Sequence, residues 1–87
     1  GEALEIYEEI LKINSKNSIA LREKAIIEGQ LGNITQAEQD LTNALLLNPK
    51  DYLTLKNLSY LNFEKRNYSK SLKYLKSVPK DFMDDQD

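Results

Sequence analysis

The stretch "GNITQAEQDLTNALLLNP", residues 32–49, decides the fold. Between its two ends, Ala37, Leu41, Ala44 and Leu45 fall at helical spacing. Gly32-Asn33 opens it with residues that accept left-handed backbone angles and so end a preceding helix. Asn48-Pro49 closes it, because proline lacks an N–H and disfavours helix in the residue before it. The spacing predicts a helix over 35–47, with Thr35 as N-cap and Glu38 completing a capping box. Two small residues on the buried stripe imply that neighbouring helix axes approach closely there.

The same signals recur on both sides. "EALEIYEEILKI" predicts a helix over 2–13, and the polar "NSKN" of 14–17 breaks it. Asn17 or Ser18 caps a helix over 18–31. Asp51 caps a helix over 51–65, and "RNYS" makes a tight turn. A helix over 69–77 follows, with Ser69 as a candidate cap and Pro79 as its stop. Alternation of the strand type is absent from the sequence. Linkers this short join antiparallel helices. The expected fold is all-α, with five helices in successive hairpins.

The layout has a period. Gly32-Asn33 maps onto Arg66-Asn67 at an offset of 34 residues, as do Leu21 onto Leu55, Ala25 onto Ser59 and Leu41 onto Leu75. Backwards by the same step, Ala37 maps onto Ala3, Leu41 onto Tyr7 and Asn48 onto Asn14. A helix-turn-helix unit of this length resembles the tetratricopeptide repeat (TPR) family. Leu21, Ala25, Ala37, Leu41 and Pro49 stand at the family's signature positions, and Leu55, Leu58, Ser59, Ser71 and Leu75 in the next unit. The resemblance implies a right-handed α-solenoid of antiparallel hairpins. It divides the chain into a repeat domain over 1–79 and an acidic tail over 80–87. Within the domain lie a half unit (1–16) and full units over 17–50 and 51–79.

The residues expected to pack the repeats are Leu21, Ala25, Ala37, Leu41, Ala44, Pro49, Leu55, Leu58, Ser59 and Leu75. Ala25 and Ala37 would meet inside one hairpin, and Ala44 would admit the next unit. The pattern also has departures. Lys24 and Glu28 replace apolar family residues and are spaced to pair across the rim of the hairpin. Arg66 replaces the turn glycine, and Val78 the second small residue. The chain opens inside a second helix, so it reads as a fragment of a longer repeat protein.

Composition narrows the function. The 87 residues contain no cysteine and no histidine. That removes disulfides, thiolate metal sites and the commonest general base. No nucleophile elbow or phosphate-binding loop occurs, and Asp81, Asp84, Asp85 and Asp87 lack the glycine and closing glutamate of a calcium loop. The reading is non-enzymatic, with no cofactor and no metal. No apolar run reaches the ~18 residues of a membrane span, so membrane insertion is not expected. With no signal segment and no cysteine, the cytoplasm is the expected compartment.

Surfaces must then carry the function. In the TPR family the first helices of successive units line a concave groove that takes a peptide or a partner helix. Carried over, the resemblance places Arg22 and Ile26 of one unit, and Lys56, Asn57, Tyr60 and Phe63 of the next, on that groove. Arg22 and Lys56 would meet an acidic group, and Ile26, Tyr60 and Phe63 an apolar one. The expected role is a protein-interaction scaffold. The alternative is RNA binding by the basic stripe within residues 65–76, formed by Lys65, Arg66, Lys70, Lys73 and Lys76 with Tyr68 and Tyr74 interleaved. Net charge runs −4 over 1–49, +6 over 50–80 and −4 over 81–87. The negative total of −2 counts against nucleic acid. The same asymmetry predicts weak end-to-end self-association, with Glu2, Glu5, Glu8 and Glu9 facing Lys70, Lys73 and Lys76 and with Phe82 and Met83 folding back as a partial cap.

Overall fold

The computed structural model describes residues 2–78. They form α1 (Glu2–Ile13), α2 (Ser18–Gln30), α3 (Ile34–Leu47), α4 (Tyr52–Glu64) and α5 (Tyr68–Lys76), with no strand among the described residues. The expected all-α array of five helices is the fold. Pro79, the acidic tail and the fold-back of Phe82 and Met83 lie outside the described residues.

Turn chemistry sets the architecture. Asn17 caps α2 by accepting the Ala20 N–H at 3.0 Å, and Asp51 caps α4 by accepting the Leu53 N–H at 3.1 Å. Gly32 takes a φ of 89°, the left-handed angle that ends α2. The Asn33 N–H then reaches back to the Glu28 carbonyl at 2.8 Å. Arg66 takes the same left-handed angle, φ 63°, and the Asn67 N–H bonds the Asn62 carbonyl at 2.7 Å. The 34-residue offset therefore holds in the backbone hydrogen bonds. It holds again where Asn14 N–H bonds Ile10 and Asn48 N–H bonds Ala44, both at 2.9 Å.

Two caps differ from expectation. Asn33, not Thr35, is the N-cap of α3, and Asn67, not Ser69, that of α5. Neither uses its side chain; each offers its backbone carbonyl to the N–H four residues on, Ala37 or Ser71, at 3.0 Å. The left-handed turn restarts the helix at once, so Thr35 already lies inside it. Glu38 completes no capping box, because its carboxylate is held by Lys65 and Lys70.

α2 packs against α3 and α4 against α5 as hairpins, α3 joins the two, and α1 lies on α2. Ala25, Ala37, Leu41, Leu58 and Leu61 form the core, flanked by Ile34, Leu45 and Tyr74. Burying a leucine such as Leu58, which is fully enclosed, contributes about 2 kcal/mol by area. No described helix is long and apolar enough to cross a membrane.

Candidate functional site

The first helices of the two hairpins, α2 and α4, touch each other. Small residues on α2 keep them from filling the space between. Ala25 and Gly29 present little or no side chain, and a recess of about 310 Å³ opens there. Its floor is apolar, built from Ala25, Gly29, Ile34, Leu41 and Leu61. Its rim carries Ile26, Gln30, Asn57, Tyr60 and Glu64.

Three of the six groove residues expected from the sequence come together here: Ile26, Asn57 and Tyr60. Asn57 donates its amide to the Leu53 carbonyl one turn back, at 2.8 Å. That hydrogen bond uses one of the two amide protons and leaves the side-chain oxygen as an acceptor. Tyr60 is 61% exposed on the rim, beside the apolar floor. Glu64 lies one turn further on, and its carboxylate holds the phenolic proton so that Tyr60 titrates above the usual tyrosine range. Gly29, Ile34 and Glu64 belong to the recess although the groove pattern does not name them. For two of them the available signal was spacing: Gly29 follows Ala25, and Glu64 follows Tyr60, by one helical turn.

The other three groove candidates lie elsewhere. Arg22 is largely enclosed, its guanidinium bonded to Asp51 at 2.7 Å and to Glu23 at 3.1 Å. Thr54 donates to the same Asp51 carboxylate. Burial alone would push Asp51 up, but Arg22 and Thr54 hold it below the usual carboxylate range. Arg22 thus fastens the start of α2 to the N-cap of α4. Lys56 is exposed, with its ammonium 6.0 Å over the Tyr52 ring. Phe63 is 57% exposed and meets Tyr68 edge to face, at 5.4 Å between ring centres.

Of the packing candidates, Leu21, Ala25, Ala37, Leu41, Ala44, Leu55, Leu58 and Ser59 are buried. Leu75 is instead 37% exposed, because α5 packs chiefly against α4 and buries Ser71 toward it. Pro49 is exposed in its turn. Val78 is buried.

Lys24 and Glu28 do pair, at 2.6 Å, but in the interior of the α2–α3 hairpin and not at its rim. A third group closes the cluster: Asp40 of α3 accepts from Lys24 at 2.6 Å and from Gln36 at 3.3 Å. The sequence reading did not single out Asp40, although it stands beside Leu41 and one turn from Ala37 and Ala44. Burial, and then hydrogen bonding with Asp40, pushes the Glu28 carboxyl above its usual range. One Glu28 oxygen has no partner among the described residues.

The basic stripe is partly committed. Lys65 and Lys70 both hold Glu38 of α3, and this draws the Glu38 carboxyl below its usual range.

A family profile described as coatomer epsilon subunit matches residues 1–84. No curated protein matches the chain.

Proposed function

The chain belongs to the coatomer epsilon subunit family, and from that premise we propose that it is a non-enzymatic scaffold that holds another protein of a coat assembly. A subunit acts through contact with other chains, and an array of helical hairpins supplies surface for such contact. We place the contact at the α2–α4 recess, which would receive a peptide segment or one face of a helix. The observation that carries this reading is the recess itself: an apolar floor with Tyr60 standing exposed on its rim. Exposed tyrosines beside apolar pockets are the residues on which binding energy concentrates.

We also read residues 17–50 and 51–79 as two TPR units following a half unit. The repetition of turn and cap hydrogen bonds at the 34-residue offset supports that division.

Site-specific photo-crosslinking tests the contact. A benzophenone amino acid replaces Tyr60 in one variant and the 76% exposed Leu46 in another. Each is reconstituted with the other chains of its coat. Crosslinks from position 60 and none from position 46 are expected. The reverse pattern overturns the assignment.

A further inference from the structure

Resting on the recess reading above, we infer that its occupant is a protein segment that places an arginine beside a bulky apolar side chain. A recess of about 310 Å³ stands at the small end of the range for ligand pockets. It suits one or two side chains better than a cofactor. The floor of Ile34, Leu41 and Leu61 takes the apolar one.

Charge selects the other. Glu64 is the one rim residue that carries charge at neutral pH. Its nearest cations in sequence do not neutralise it. Lys65 turns to Glu38, and no ion pair joins Arg66 to Glu64 among the described residues. The other cations of α2 and α4 that the groove pattern names lie outside the recess: Arg22 is held by Asp51 and Glu23, and Lys56 sits over Tyr52. Both α2 and α4 end toward this side, and neither has a basic residue in its last turn. Their terminal carbonyls add partial negative charge that no side chain of the last turn offsets.

Geometry favours arginine over lysine. Tyr60 and Glu64 lie one turn apart, so a planar guanidinium can lie on the ring while its edge meets the carboxylate. An ammonium can also sit over a ring, as Lys56 does over Tyr52, but as a compact point charge it has no flat face and edge with which to make both contacts at once.

The test is an NMR titration of the ¹⁵N-labelled chain with acetyl-Leu-Ala-Arg-amide, and with versions carrying Glu or Lys in place of Arg. The arginine peptide should shift the amides of Gly29, Gln30, Tyr60 and Glu64. The glutamate peptide should bind at least ~10-fold more weakly, the value of one charge-assisted hydrogen bond, with lysine between. Glu64→Gln should erase the difference between peptides. Gly29→Ala should weaken all three while leaving the fold intact, since the added Cβ meets Leu61 at an ordinary 3.6 Å. Equal shifts from all three peptides overturn the charge inference and leave the recess reading standing. No shift at the recess, with crosslinks from position 60, does the same. No shift together with no crosslink overturns both.

Discussion

The two full hairpins share a backbone and differ in almost everything that fills it. Both turn through a left-handed residue, Gly32 or Arg66, and both close with an asparagine N–H on a carbonyl of the preceding helix. Inside, they diverge position by position. At the helix crossing, Ala25 and Ala37 of the first hairpin correspond to Ser59 and Ser71 of the second. There the hydroxyl of Ser59 meets the Ser71 carbonyl at 2.9 Å, and that of Ser71 the Ser59 carbonyl at 2.7 Å. Lys24, Glu28 and Asp40 correspond to Leu58, Asn62 and Tyr74. One hairpin buries a charged triad where the other buries a leucine, an amide and a half-covered tyrosine. Caps and turns specify the hairpin, and its interior accepts either chemistry; each set leaves one buried oxygen without a partner among the described residues, on Glu28 in the first and Asn62 in the second. In the charged set the cation is the member that cannot be removed alone, because without Lys24 two buried carboxylates are left uncompensated.

The largest expected effect breaks the triad. Lys24→Ala leaves Glu28 and Asp40 facing each other in the interior and should destabilise by about 3–5 kcal/mol, read by urea denaturation. A loss under 1 kcal/mol would mean the cluster is not coupled.

Next comes the exchange of the whole set. Lys24→Leu, Glu28→Asn and Asp40→Tyr together install the second hairpin's solution in the first. The triple variant should be neutral or more stable by about 1–4 kcal/mol, as for other buried ion pairs replaced by packed residues. A triple variant as unstable as Lys24→Ala would show that the hairpin interiors are not interchangeable.

Ala44 is fully buried where the second unit has Val78. Ala44→Leu should cost about 1–3 kcal/mol through overpacking, visible as a lower midpoint on heating.

The turns give a smaller contrast. Arg66 occupies an angle that costs an L-residue about 1 kcal/mol. Arg66→Gly should recover roughly that amount, and Gly32→Ala should lose it, although an added Cβ at Gly32 meets nothing within 4 Å. Equal and opposite shifts in a paired melt would isolate backbone strain from packing.

The smallest effect is in pH dependence. The Glu28 carboxyl is raised by burial and by Asp40, so the folded chain keeps a proton that the unfolded chain releases. Its contribution is complete below the usual glutamate value and is lost as pH rises through the raised one. Glu38, drawn down by Lys65, and Asp51, held down by Arg22 and Thr54 against the effect of burial, act oppositely; their contribution is lost as pH falls through their lowered values. Glu28→Gln removes only the first slope. Midpoints measured from acid to neutral pH should then rise monotonically, whereas the parent chain should peak in mildly acidic solution.

Much of this was legible in residue order. Turn formers and Pro49 marked the helix ends, and the spacing of Ala25, Ala37 and Ala44 marked the close crossings. What spacing along one helix could not show was which helix stands opposite. Lys24 and Glu28 were readable as a pair, yet their depth depended on Asp40 of α3 arriving between them. Arg22 looked free for a partner until Asp51, 29 residues away, came within reach. Thr35 had the right chemistry for a cap, but the left-handed turn at Gly32 left no room for one. For the recess, Ile26, Asn57 and Tyr60 could be placed by the repeat resemblance. Gly29 and Glu64 could not, because the resemblance assigns them no part; spacing sets each one turn from Ala25 or Tyr60, and the facing helix makes a recess of that.

α1 buries none of its side chains, although Leu4, Tyr7, Ile10 and Leu11 are half covered. In an array whose members are stabilised by adjacent members, opening is not shared equally. α1 can part from α2 without breaking the cluster around Leu41 and Leu58. Its amides should therefore exchange with solvent well ahead of those in α3 and α4, through a local opening rather than global unfolding. Each such opening bares the face of α2 on which α1 lies, so that this part of the molecule would be visited by water many times in the life of one folded molecule.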